Sequence, residues 1–196
     1  MGLVQKGHSR TWLDDRGWFL ITVEFQPSGW SKGTYLNVGA TWLWHPKDFL
    51  SFDYGDYRRP FEGVQDGDWD ATARSFADTA ASWVGELRSQ LPTPCAAAER
   101  LREHIPNSGW PLFDAAIASG LCGDAGTAAA LRDRLLEQDD DRDWAREMRE
   151  RAARLLSDLD RGRLAGTVAK EIAASRTWLR LPELPVDRIR ALLQAA

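Results

Sequence analysis

The sequence predicts an α+β fold: an antiparallel β-meander of about four strands backed by helices, followed by an all-helical C-terminal half. Three observations carry this. Apolar and polar side chains alternate with a period of two across residues 18–26 and again across 34–44. Beyond about residue 70 the apolar residues recur at helical spacing instead. Clusters of Gly, Pro, Ser and Asp separate the periodic segments, as turns and caps require.

From Trp18 to Gln26 the residues Phe19, Ile21, Val23 and Phe25 point one way, and Trp18, Leu20, Thr22, Glu24 and Gln26 the other. In the following strand, Leu36, Val38, Ala40, Trp42 and Trp44 form the apolar set. A slip of one residue would set Asn37 against Val23 in the core. The pairs Phe25–Leu36, Val23–Val38, Ile21–Ala40 and Phe19–Trp42 are therefore expected, with Gln26–Tyr35, Glu24–Asn37 and Leu20–Thr41 on the other face. An earlier strand over residues 9–14 leads into Asp15-Arg16-Gly17. Read as a three-residue hairpin loop with Gly17 left-handed, it places Leu13 beside Phe19 inside, Trp12 beside Leu20 outside and Arg10 beside Thr22.

After Trp44, His45-Pro46-Lys47-Asp48 reads as a turn, residues 49–54 as a short fourth strand and residues 55–67 as a charged, Gly-rich loop. A long helix capped by Asp68 or Asp70 follows. Ala73, Phe76, Ala77, Ala80, Trp83, Val84, Leu87 and Leu91 form its apolar stripe, expected to cover the inner sheet face. Pro92-Thr93-Pro94 marks the seam, dividing residues 1–91 from 92–196. Helices are expected over 95–105, 112–119, 127–137, 142–159, 165–178 and 186–193, with Gly120 as a helix C-cap.

The chain has 196 residues, of which 43% are hydrophobic and 28% charged, in the range of a folded globular protein. Net charge is −4, and residues 1–65 hold seven acids against seven bases, so no basic footprint for nucleic acid or an anionic membrane is present. There is no apolar run long enough to span a bilayer and no N-terminal apolar leader, so a cytoplasmic protein is expected. Cys95 and Cys122 lack metal-ligand spacing and read as cytosolic thiols. Ten Trp is a high number; packing is their ordinary use.

The segments GHSRTW, WFLITVEFQPSGWSKGTYLNVGATWLW and FLSFDYG together resemble a bacterial family known only as a domain of unknown function. The likeness covers roughly residues 3–91. The resemblance implies a helix ahead of the GHSRTW strand. The resemblance implies no reaction and supplies no catalytic residues.

No phosphate-binding Gly motif, nucleophile elbow or HExxH occurs, and His8, His45 and His104 are scattered. No metal and no cofactor is therefore expected. The outer sheet face is the stronger candidate site. Arg10, Trp12, Glu24, Gln26, Tyr35 and Asn37 gather polar and aromatic groups on a rigid platform, in the manner of protein-interface anchors. A non-enzymatic domain for a protein partner, immunity-like or regulatory, is the expected function. The alternative is an enzyme or small-molecule site at the sheet face or around His45, Asp53 and Asp56, since acid-bearing loop ends often carry function.

Overall fold

The structure, a computed structural model, describes residues 2–27, 29, 33–62, 69–103 and 109–195. For residues 33, 56, 59–62 and 69 it describes the backbone only. The expected loop over 63–67, the Asp68 cap, His104 and most of the turn after Pro27 lie outside the described residues. The fold is α+β, with an N-terminal antiparallel sheet and a C-terminal helical half. Two compact units divide the chain, one of residues 1–43 and 47–89, the other of 44–46 and 90–196.

The first unit holds β1 (Val4–Gln5), β2 (Thr11–Asp15), β3 (Phe19–Pro27), β4 (Gly33–Trp42), β5 (Tyr54–Glu62) and all but the last residue of α1 (Trp69–Gln90). The strands pair in chain order, each antiparallel to the next. β3 and β4 take the expected register, Phe19 against Trp42 through Gln26 against Tyr35. Burial decides it, because Phe19, Ile21, Val23, Leu36, Val38, Ala40 and Trp42 are all buried on one face.

The register of β2 corrects the sequence reading. Trp12 lies opposite Val23 and Asp14 opposite Ile21, so Trp12 and Asp14 point to the inner face and Leu13 to the outer one. The loop has two residues, Gly17 and Trp18, closed by the Arg16 N–H donating to the Phe19 carbonyl at 3.0 Å. Gly17 takes φ 88°, and its N–H donates to Asp15 Oδ1 at 2.9 Å. Trp18, released from the strand, stacks on Trp42 with centroids 5.7 Å apart and planes within 10°.

The fourth strand of the meander proper also lies elsewhere than expected. It is β5, residues 54–62, and not 49–54. β5 carries Pro60 and several charges, a composition that suits an edge strand, where a missing N–H costs no ladder bond. Residues 51–53 instead run across β4: Thr41 Oγ1 donates to the Ser51 carbonyl, and Phe52 sits where a Cβ on Gly39 would come within 2.8 Å of it.

α1 covers the inner face. Phe76, Ala80, Val84 and Leu87 are its buried stripe, while Ala73 and Ala77 stay exposed. Phe76 meets Phe25, which Trp12 contacts edge-on. Trp83 stacks on Tyr57 at 5.5 Å, and the Tyr57 hydroxyl donates to Glu86 at 2.9 Å. The last turn places Arg88 Nε 2.9 Å from Asp14 Oδ2. Asp14 is fully buried, and its Oδ1 has no hydrogen-bond partner among the described residues. A buried carboxylate is tolerated only with a counter-charge, so this contact fixes the end of α1 on β2.

The second unit contains α2 (Pro94–Glu103), α3 (Trp110–Cys122), α4 (Ala125–Leu136), α5 (Asp143–Leu155), α6 (Arg161–Trp178) and α7 (Val186–Gln194). α3 is its axis: residues 112–121 are buried without interruption, and α2, α4, α5, α6 and α7 all pack on it. A helix apolar all round belongs at a core. Its one carboxylate, Asp114, accepts the Trp44 Nε1–H at 2.8 Å.

Gly120 is not the cap that the sequence reading made it. It lies inside α3, where a Cβ would come within 2.5 Å of Leu164 Cδ2 on α6. The cap is Gly123, left-handed at φ 91°, with its N–H on the Gly120 carbonyl. Asp124 then caps α4 by accepting the Thr127 N–H at 3.0 Å. That hydrogen bond, with help from Arg102, holds its carboxyl below the usual range.

The cysteines are also corrected: Cys95 and Cys122 form a disulfide across 27 residues, with Cα atoms 4.7 Å apart. Closing a loop of that size removes roughly 3–4 kcal/mol of chain entropy from the unfolded state on the loop-closure account.

The Asp14–Arg88 contact gives a direct test. Arg88→Met should lower stability by about 2–4 kcal/mol in urea unfolding, because it leaves a buried carboxylate with only the longer 4.0 Å pair to Arg16. Adding Asp14→Leu should recover part of that loss. An Arg88→Met protein as stable as the parent would contradict the anchoring role.

Candidate functional site

The outer face of the sheet has two parts. Toward the β2–β3 turn, Leu20, Thr22 and Thr41 are buried. Toward the other end, Glu24 and Tyr35 are half-buried and Gln26 is exposed. Asn37 ties this open end together. It is 6% exposed, and its Nδ2 donates to Glu24 Oε2 at 3.2 Å and to Gln26 Oε1 at 3.1 Å. Strand pairing explains the geometry: Asn37 lies opposite Glu24, and Gln26 is two residues along on the same face. One amide thus orients both neighbours and satisfies its own buried donors.

β5 adds a residue that the sequence reading missed. Arg58 lies opposite Asn37, and its guanidinium sits over the Tyr35 ring, 4.3 Å from the centroid. The contact is of cation–π type, and Arg58 is exposed. The pairing partner was concealed because residues 55–62 read as loop; a strand there would have set Arg58 across from Asn37. The result is a platform offering an acceptor at Glu24, an amide at Gln26, a phenol at Tyr35 and a cation at Arg58, with Glu24 and Gln26 held from below by Asn37.

Of the six expected site residues, Glu24, Gln26, Tyr35 and Asn37 come together. Trp12 does not: it is on the opposite face, edge-on to Phe25 with centroids 5.3 Å apart. Arg10 is exposed ahead of β2, its carbonyl accepting the Phe25 N–H. The flipped β2 register accounts for both.

Two of the alternative set, Asp53 and His45, make contacts within their own units. Asp53 receives Lys47 Nζ at 3.0 and 2.7 Å and the Trp42 N–H at 2.9 Å. Lys47 is itself only 7% exposed, so the pair pins residues 47–53 to β4. His45, in the second unit, stacks on Trp110 with centroids 3.4 Å apart. Asp56 stands on β5, and its side chain lies outside those described.

Among the described residues no group of three or more His, Cys, Asp or Glu side chains is placed to hold a metal ion, and no helix is long and apolar enough to cross a membrane. A groove of about 380 Å³ opens between the end of α6 and the start of α7. Arg176, on its wall, donates to the Pro182 carbonyl at 2.7 Å and so holds the α6–α7 loop. No family model, curated protein or solved structure matches the chain.

Asn37 is the testable centre of the platform. Asn37→Ala should cost about 1–2 kcal/mol through its lost hydrogen bonds. Asn37→Asp should cost more at pH 7, because it sets a carboxylate against Glu24. Chemical denaturation at pH 7 reads both effects; an Asn37→Asp protein no less stable than Asn37→Ala would contradict the arrangement.

Proposed function

We propose that this protein is a non-enzymatic binding domain whose outer sheet platform docks a protein partner. The observation that carries this reading is the Asn37-centred group. A mostly buried amide is used to orient exposed or half-exposed Glu24 and Gln26, beside an Arg58–Tyr35 pair. Arg and Tyr are the side chains that most often anchor interfaces, and pre-set rotamers reduce the ordering cost of association. Donors and acceptors alternate across the platform, which suits a partner surface carrying both an acidic group for Arg58 and a donor for Glu24.

This reading extends to a bacterial family resembling residues 3–91, and to an immunity-like or regulatory role in the cytoplasm. A toxin gene encoded beside this one would support the immunity form. Among the described residues the platform shows no nucleophile bonded to a base, and the near-zero charge of residues 1–65 disfavours nucleic acid.

The test is capture of partners from the native host by the parent, by a Tyr35→Ala/Arg58→Ala variant and by Trp178→Ala, which changes an exposed side chain of the second unit. A partner held by the parent and Trp178→Ala, but weakened at least about tenfold by the double change, is expected. A partner held equally by all three would place binding elsewhere.

A further inference from the structure

We propose that the Cys95–Cys122 bond is a reversible redox clasp that holds α2 onto α3, opened and closed by low-molecular-weight thiols and disulfides.

Four observations lead here. The bond joins the first turn of α2 to the last residue of α3, so it locks these two helices directly. Among the described residues α2 has few other attachments. It packs mainly on α3, burying only Pro94, Ala97, Ala98 and Leu101, and Arg102 adds one partly exposed pair with Asp124 at 2.9 Å. Ten residues with so small an apolar footprint form a marginal helix without tertiary support. Both cysteines are only partly buried, as attack by a small thiol on the folded protein requires. Lastly, Cys95 follows Pro94 in the opening turn, where Thr93 caps the helix through the Ala96 N–H at 3.2 Å. The positive end of the helix stabilises a thiolate there, and α3 gives Cys122, at its C-terminal end, no such help.

The exchange follows. A small-molecule thiolate attacks Cys122 Sγ. The bond to Cys95 breaks, and its electron pair leaves on Cys95 Sγ, the better leaving group. A second small-molecule thiolate attacks the small-molecule sulfur of the mixed disulfide and releases Cys122. Two small thiols lose two electrons and two protons and depart as their own disulfide; the two cysteines gain both. In the reverse direction Cys122 attacks the oxidised small molecule, releasing one small thiolate, and Cys95 then attacks Cys122 Sγ in the mixed disulfide and expels the other. With the bond open, α2 loses its covalent hold, and the part of α3 beneath it becomes accessible by local opening.

The full-length protein is treated with reduced or oxidised glutathione, and its thiols are read by alkylation and mass. Amide hydrogen exchange is followed on both forms. Reduced glutathione should open the bond under native conditions. Residues 94–103 should then exchange at least about tenfold faster while α6 keeps its protection, and oxidised glutathione should restore the slow form. In the reduced protein Cys95 should alkylate several-fold faster than Cys122 near pH 7. Cys95→Ser and Cys122→Ser should each reproduce the fast exchange of α2. A bond that opens only in denaturant marks a permanent staple and overturns the proposal. So does unchanged α2 protection on reduction, or a loss of protection shared by the whole chain. Faster alkylation of Cys122 would overturn the assigned direction of attack.

Discussion

Which side of the sheet each β2 side chain faces is set by the two-residue turn at Gly17 and Trp18. Side chains alternate along a strand, so one residue more or less in that loop turns all of β2 over. With two loop residues, Asp14 points inward and must find a cation, and Arg88 supplies it from the last turn of α1. The same choice puts Trp12 against Phe25 beneath α1 and Leu13 on the outer face. The anchoring of α1 on β2, and the exclusion of Trp12 from the outer platform, both follow from one loop length.

The helical unit depends on a different constraint. α3 buries ten consecutive residues, so every neighbouring helix must present an apolar side to it. Close approach then demands small residues at the contacts, as at Gly120 beneath Leu164. Polar groups inside this unit are tied off locally. Asp114 takes the Trp44 indole, and Glu171 on α6 joins Arg151 and Arg154 of α5 at 2.7 and 2.9 Å.

Much of this architecture is legible in the sequence. The β3–β4 register can be read because both strands alternate cleanly and a slip would bury Asn37. The helices can be read because their apolar spacing is sustained and their ends carry Pro, Gly or Asp. β2 cannot, because Thr11-Trp12-Leu13-Asp14-Asp15 sets two apolar residues side by side and then two acids, so no period assigns a face. β5 is hidden by Gly55 and Pro60, which mark a turn in most contexts but are tolerated on an edge. Four of the five platform residues are therefore accessible from alternation alone, while Arg58 needs β5 and the exclusion of Trp12 needs the true turn. The cysteine pairing is a product of how α2 and α3 pack, which their spacing of 27 residues does not encode.

Interstrand nuclear Overhauser effects across β2 and β3 test the central claim most directly. The two-residue turn predicts backbone contacts of Trp12 with Val23 and of Asp14 with Ile21, together with side-chain contacts from Trp12 to Phe25. Contacts pairing Leu13 with Phe19 and Trp12 with Leu20 would contradict it. They would return Trp12 to the outer face and remove the reason for Arg88 to reach Asp14.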